Sequence, residues 1–192
     1  PVSVSWGAGG LSMRSIVLDQ RPDAAVYAIE VGRNAERVTP IRYSPSSAVV
    51  NRLTIEYAPN AATGAYTQSV TVTSSTDPDI TTDSTLRPSP WATASQAVFG
   101  VRAQTVQTSW VYDSATAEAM ALSMVRRMHA PSMMAAVRVG GEFGGARPGD
   151  WVRVTDSGVS WLDVGAFVES VSIDEGDSIV LGLRRYPALG NR

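Results

Sequence analysis

The sequence predicts a mainly β fold, an antiparallel barrel or sandwich into which one α-helix is set. Three observations predict it. Short stretches that alternate apolar and polar residues recur through the chain, separated by Gly, Pro and Asp turns. One stretch alone, residues 114–129, has a clear helical period. The composition is rich in Gly, Ser, Thr and Val and only 18% charged, which favours strands and turns over long helices.

Residues 1–47 read as a short β-rich segment. Ile16-Val17-Leu18 and residues 26–31 are expected strands, and residues 32–36 a turn. Residues 37–43 are expected to return as the hairpin partner of 26–31, at an edge because Pro40 lacks an N–H. Gly7-Ala8-Gly9-Gly10 reads as a flexible link. One domain is expected over residues 48–187, with residues 188–192 as a tail. Leu53, Ile55 and Tyr57 alternate with Arg52, Thr54 and Glu56, the period of a half-buried strand. Pro59 and Gly64 bracket a turn, and residues 66–73 complete a hairpin. Residues 74–90 are rich in Ser, Thr, Asp and Pro and are expected as a long surface loop. Residues 98–110 are expected to be extended.

The helix over residues 114–129 carries its own punctuation. Asp113 or Ser114 can accept a hydrogen bond from a first-turn N–H. Met120, Ala121, Met124, Val125 and Met128 share one side, which should lie against a sheet. Arg126, Arg127 and His129 fall in the last turn, where positive charge suits the helix end, and Pro131 stops it. Four strands are expected to close the chain, at 134–139, 151–155, 166–173 and 178–184. Gly140-Gly141, Pro148-Gly149-Asp150, Asp156-Ser157-Gly158 and Glu175-Gly176-Asp177 mark the turns.

Several function classes are disfavoured. The net charge is −2, all 16 basic residues are Arg, and they cluster only as doublets, which does not suit a general or sequence-specific nucleic-acid binder. There is no Cys, so disulfides and thiolate metal sites are excluded. No apolar run approaches the ~20 residues of a membrane span. No signal peptide is visible, and the absence of an initiator Met admits a processed protein or a piece of a longer one. His129 is the sole histidine, no Gly-x-Ser-x-Gly elbow surrounds a Ser, and a helix end accounts for His129 better than a triad. Asp77, Asp79 and Asp83 lack the spacing of a calcium loop, and Asp174, Glu175 and Asp177 read as a solvated turn. Residues 140–145 lack the Lys-Ser/Thr of a phosphate loop and read as a hairpin tip. No catalytic, cofactor-binding or metal-ligating residue is nominated. The candidate interface residues are Trp161, Leu162, Phe143 and Trp151. Trp buries large area at low entropy cost in interfaces, with core packing the open alternative.

Three motifs in order resemble a known family. They are Asn51-Arg52-Leu53-Thr54-Ile55-Glu56-Tyr57, the Ala-rich helix after an extended stretch, and Arg147-Pro148-Gly149-Asp150-Trp151-Val152-Arg153-Val154, closed by Val180-Leu181-Gly182-Leu183-Arg184. Over residues 51–186 the chain resembles the hub proteins of bacteriophage tails. The resemblance implies a small β-barrel with a packed helix, related to the tail-tube subunit. It further implies a ring at the tail tip of the virion, a trimer or hexamer, whose partners are tube, tail-tip or fibre proteins. The family has no catalytic residues and no cofactor to carry over. Its chains commonly hold two barrels, and the first 47 residues are too short for a second. The competing expectations are a β-sandwich that binds carbohydrate or cell surfaces and, third, an enzyme with a carboxylate pair.

Overall fold

The computed structural model describes residues 27–159, 161–174 and 178–186, and residues 2–7 and 10–15 as a strand pair. In chain order the strands are β1 (Val2–Gly7), β2 (Gly10–Ser15), β3 (Tyr27–Glu30), β4 (Ala35–Arg37), β5 (Arg42–Tyr43), β6 (Arg52–Pro59), β7 (Tyr66–Thr73), β8 (Leu86–Pro88), β9 (Ala103–Gln107), β10 (Met133–Val139), β11 (Trp151–Asp156), β12 (Trp161–Ile173) and β13 (Ile179–Arg185). The helices are α1 (Pro90–Phe99) and α2 (Ser114–Met128). The fold is thus mainly β, as expected. The strand expected at Ile16-Val17-Leu18 lies outside the described residues. Gly7 and Gly10, read as part of a flexible link, face each other as the last pair of the β1–β2 hairpin.

The chain forms two units, and strand pairing decides which residues join which. The first combines Pro1–Ser44 with Ser132–Tyr186, and the second is built on Pro45–Pro131, inserted between those two pieces. This differs from a division after residue 47 with the hairpin, helix and closing strands in one barrel. The reason is that β10 takes its partners from β4, β5 and β13, while the β6–β7 hairpin takes β8 and β9. The two passages are held together within the first unit. Ser44 N donates to Ser132 O at 2.8 Å, and Ser132 N donates to Ser44 Oγ at 2.9 Å.

In the second unit the β6–β7 hairpin forms as expected, with Leu53 opposite Val72 and Ile55 opposite Val70. Alternation sends Leu53, Ile55, Tyr57, Val70 and Val72 to one face. β8 adds in parallel to β7 and β9 in parallel to β6, giving the order β8-β7-β6-β9. α2 starts where Asp113 Oδ1 accepts a hydrogen bond from Thr116 N at 2.8 Å. It buries Ala117, Ala121 and Val125, with Met120, Met124 and Met128 packed at the margins. Small residues along the contact line let the helix approach the sheet, and the flexible Met side chains fill the edges. Each fully buried Leu, Ile or Val contributes roughly 1.5–3 kcal/mol.

α1 is a second helix, spanning residues read as the end of a loop and the start of an extended segment. Ser89 caps it, Pro90 opens it, and Gly100 at φ 67° ends it. Residues 74–85 form turns in which Asp77 accepts from Thr73 Oγ1 at 3.0 Å and pairs with Arg52 at 3.3 Å.

The first unit carries a seven-stranded sheet in the order β3-β11-β12-β13-β10-β4, with β5 also on β10. All pairs are antiparallel except β3–β11. The sheet curls, and the turn between β3 and β4 links its two outer strands. Val31 bridges to Ala35, and Gly32 N donates to Ala35 O at 2.8 Å. Asn34 holds that corner, accepting from Glu30 N at 2.7 Å and donating to Ala28 O at 3.0 Å. Alternate residues of β3, β10, β11, β12 and β13 form one interior: Ile29, Val137, Val152, Val154, Val168, Leu181 and Leu183. The four closing strands appear close to where the pattern placed them, and β12 begins earlier, at Trp161. Residues 37–43 do not return against β3. Val38 N donates to Ala136 O at 2.9 Å, and Ala136 N donates to Thr39 Oγ1 at 3.0 Å, which commits this stretch to β10.

Candidate functional site

The nominated aromatics separate by face. On β12, successive side chains leave opposite sides of the sheet. Trp161 therefore enters the interior, 4% exposed, and its neighbour Leu162 faces solvent, 69% exposed. Phe143 sits in a short turn of 3₁₀ helix, Gly141–Phe143, and packs inward with its ring 5.3 Å from Tyr27. The stretch read as an open hairpin tip is thus anchored by a buried ring. Trp161 and Phe143 are buried in the interior of the first unit, which is the core-packing alternative for these candidates. Leu162 and Trp151 keep exposed surface.

Trp151 belongs to a cross-strand row that the sequence alone did not reveal. Pairing places Trp151 opposite Phe167, Phe167 opposite Arg184, Arg184 opposite Met134, and Met134 opposite Arg42. Their neighbours Val152, Ala166, Leu183 and Ala135 point inward, so the row lies on the outer face. Trp151 meets Phe167 edge-on at 4.6 Å, and Tyr186 lies 5.8 Å from Phe167. The indole lies over Gly165, where an added Cβ would come within 2.0 Å of the ring. Arg184 is held by Glu169 at 2.6 Å. Trp, Tyr, Met and Arg are the residue types enriched in protein interfaces. Row membership depends on register across five strands, which no local pattern specifies.

The titratable candidates are used structurally. His129 caps the end of α2, its Nδ1 2.8 Å from Arg126 O. Burial lowers its pKa below the ordinary 6.5, the hydrogen bond to Arg126 opposes this, and the Arg126 charge adds to the lowering. Ser95 Oγ donates to the His129 carbonyl oxygen. Asp77 is occupied by Thr73 and Arg52, and Asp83 accepts from Thr85 N and Oγ1 at 2.8 and 2.7 Å. Asp174 is bound by Arg138 at 2.8 Å. Among the described residues no group of three or more His, Asp or Glu is placed to hold a metal, and no helix is long and apolar enough to cross a membrane.

The chain matches no protein-family model, and no curated protein matches its sequence. Solved structures do match. The 43 kDa tail protein of prophage MuSo2 from Shewanella oneidensis superimposes over 95% of this chain and 49% of its own, with a TM-score of 0.50 and 13% identity. A tail protein from Neisseria meningitidis MC58 aligns over 93% of this chain and 48% of its own, with a TM-score of 0.46 and 17% identity. The chain therefore spans about half the length of these structures. The fold of this chain, with its barrel-like sheet and inserted α/β unit, is similar to that of a prophage tail protein.

Proposed function

We propose that this chain is a non-enzymatic structural subunit of a bacteriophage tail, located in the virion and acting as a hub at the tail tip. In this reading it forms a ring, a trimer or hexamer, that connects the tail tube to tail-tip or fibre proteins. One observation carries the reading: the fold likeness to the MuSo2 tail protein, which extends over 95% of the chain and so takes in residues of both units. The outward row of Trp151, Phe167, Arg184 and Met134 supports it by supplying a contact surface of interface composition. A glycan platform built on Trp161 has no support, because that ring is buried.

The test is localisation. Antibody raised against the chain is applied to purified particles whose genome encodes it, with gold labelling seen in the electron microscope. Label at the distal end of the tail is expected. Particles that lack the chain by mass spectrometry and by labelling overturn the proposal.

A further inference from the structure

The two edges of the inserted unit's sheet are unequal. β8 is three residues long, ends in Pro88, and has Arg87 tied to Glu118 at 2.7 Å. Short length, Pro and charge are the usual means of blunting an edge. β9 has none of these. Ala103-Gln104-Thr105-Val106-Gln107 carries no charge and no Pro, among the described residues it pairs only with β6, and four of its five residues are exposed.

The register says which groups are open. Arg52 N donates to Arg102 O, and Thr108 N donates to Glu56 O. The even-numbered residues of β9 thus turn their backbone groups to β6. By alternation Ala103, Thr105 and Gln107 direct both N–H and C=O away from it. Each edge offers three donors and three acceptors, evenly spaced about Thr105.

The apolar surface follows the same centre. The exposed large hydrophobics described in this unit are Val98, Val101, Trp110 and Tyr112, at 73, 59, 65 and 66%. Two precede β9 and two follow it. An antiparallel partner centred on Thr105 puts Ala103 opposite Gln107 and brings the segment before each β9 beside the segment that follows the other.

We propose that β9 is a self-pairing edge, at which two copies of this chain join across a two-fold axis through Thr105. Three residues per copy, each donating once, make six hydrogen bonds, and the exposed Val98 and Val101 that precede one strand come beside the Trp110 and Tyr112 that follow the other. The occupant is a second copy because the strand is uncharged and its apolar ends are complementary to each other in the antiparallel sense, which is the condition for an isologous contact. The contact is two-fold, so it is additional to any contact that closes a ring, and it does not rest on the tail reading.

Light scattering after size exclusion tests it on the 192-residue chain at up to about 100 μM. The expected mass is twice the 20.4 kDa monomer, falling on dilution. Thr105→Pro removes an N–H that points away from β6, so it is expected to keep the melting curve of the diluted, monomeric chain and abolish the dimer. Trp110→Ser is expected to weaken the dimer at least tenfold, and it serves if the Pro variant fails to fold. In hydrogen exchange the amides of Ala103 and Gln107 are protected in the dimer and fast in Thr105→Pro. A wild-type chain that stays monomeric at every concentration overturns the proposal, as does a dimer that Trp110→Ser leaves intact. A monomeric result leaves the tail localisation untouched.

Discussion

Asn51 is the position where a single substitution should report most sharply on the inserted unit. It is fully buried and makes three side-chain hydrogen bonds. Its Nδ2 donates to Ser95 Oγ at 3.0 Å and to Gly100 O at 2.8 Å, and its Oδ1 accepts from Arg102 N at 2.7 Å. One amide therefore ties the start of β6, the end of α1 and the entry to β9. Replacing it with Ala removes three bonds worth about 0.5–1.5 kcal/mol each. Partial access of water to Gly100 and Arg102 offsets some of this, and a small cavity adds to it. The expected loss is about 2–4 kcal/mol, which lowers the melting point of a unit of this size by roughly 10 °C or more. Asn51→Asp keeps the acceptor for Arg102 N but sets an oxygen against Gly100 O and buries a charge. It should be at least as damaging at pH 7 and partly recover in acid, where the protonated carboxyl can donate. Urea unfolding with hydrogen exchange reads both, and protection in β10–β13 should be unchanged. A loss below about 0.5 kcal/mol for Asn51→Ala would refute the reasoning.

Three further outcomes follow from packing and charge. Trp161→Ala should cost about 3–5 kcal/mol and Leu162→Ser less than about 0.5, although they are neighbours in sequence, and chemical denaturation of both decides this. Gly165→Ala forces the Trp151 ring off its seat and should cost about 1–3 kcal/mol with a changed near-ultraviolet circular dichroism signal; an unchanged signal would contradict the stacked geometry. His129 has its pKa lowered in the fold, so its neutral form is favoured and its contribution is complete above 6.5. That contribution declines as pH falls from 6.5 through the lower folded value, because the unfolded chain takes up the proton first. His129→Gln should flatten the difference in stability between pH 7.5 and 5.5, and equal pH profiles for the two proteins would contradict the lowered pKa.

Much of the local structure was legible because each element announces itself within a few residues. β6 and β7 alternate apolar with polar residues, since Leu53, Ile55, Tyr57, Val70 and Val72 pack into one core, although Thr71 and Thr73 on the other face of β7 are buried as well. α2 shows an apolar face at helical spacing, an Asp cap and a Pro stop, although its contact line is Ala117, Ala121 and Val125 rather than the Met residues. α1 was also punctuated, by Ser89, Pro90 and Gly100, but its buried face is only Ala92 and Ser95, so its helical period is faint. The division into units was not legible. It is set by which sheet edges meet, and β10 finds β4 and β5 about ninety to a hundred residues away in sequence. Local periodicity says that a strand has an apolar face and is silent on its neighbour. The same limit explains the interface residues. Trp161 and Leu162 look alike as an exposed pair until β12 begins at Trp161 and the alternation sends one in and one out. Trp151 was singled out, but its companions Phe167, Arg184 and Met134 come together only through register.

Imaging of intact tails tests the proposed structural place in a phage tail most directly. Cryo-electron microscopy of tails from particles encoding this chain should show density at the distal end that fits the barrel-like unit of β3–β5 and β10–β13 in a closed ring, with its outer aromatic row in contact with a neighbouring subunit. Well-resolved tails in which no density accommodates either unit would contradict the account.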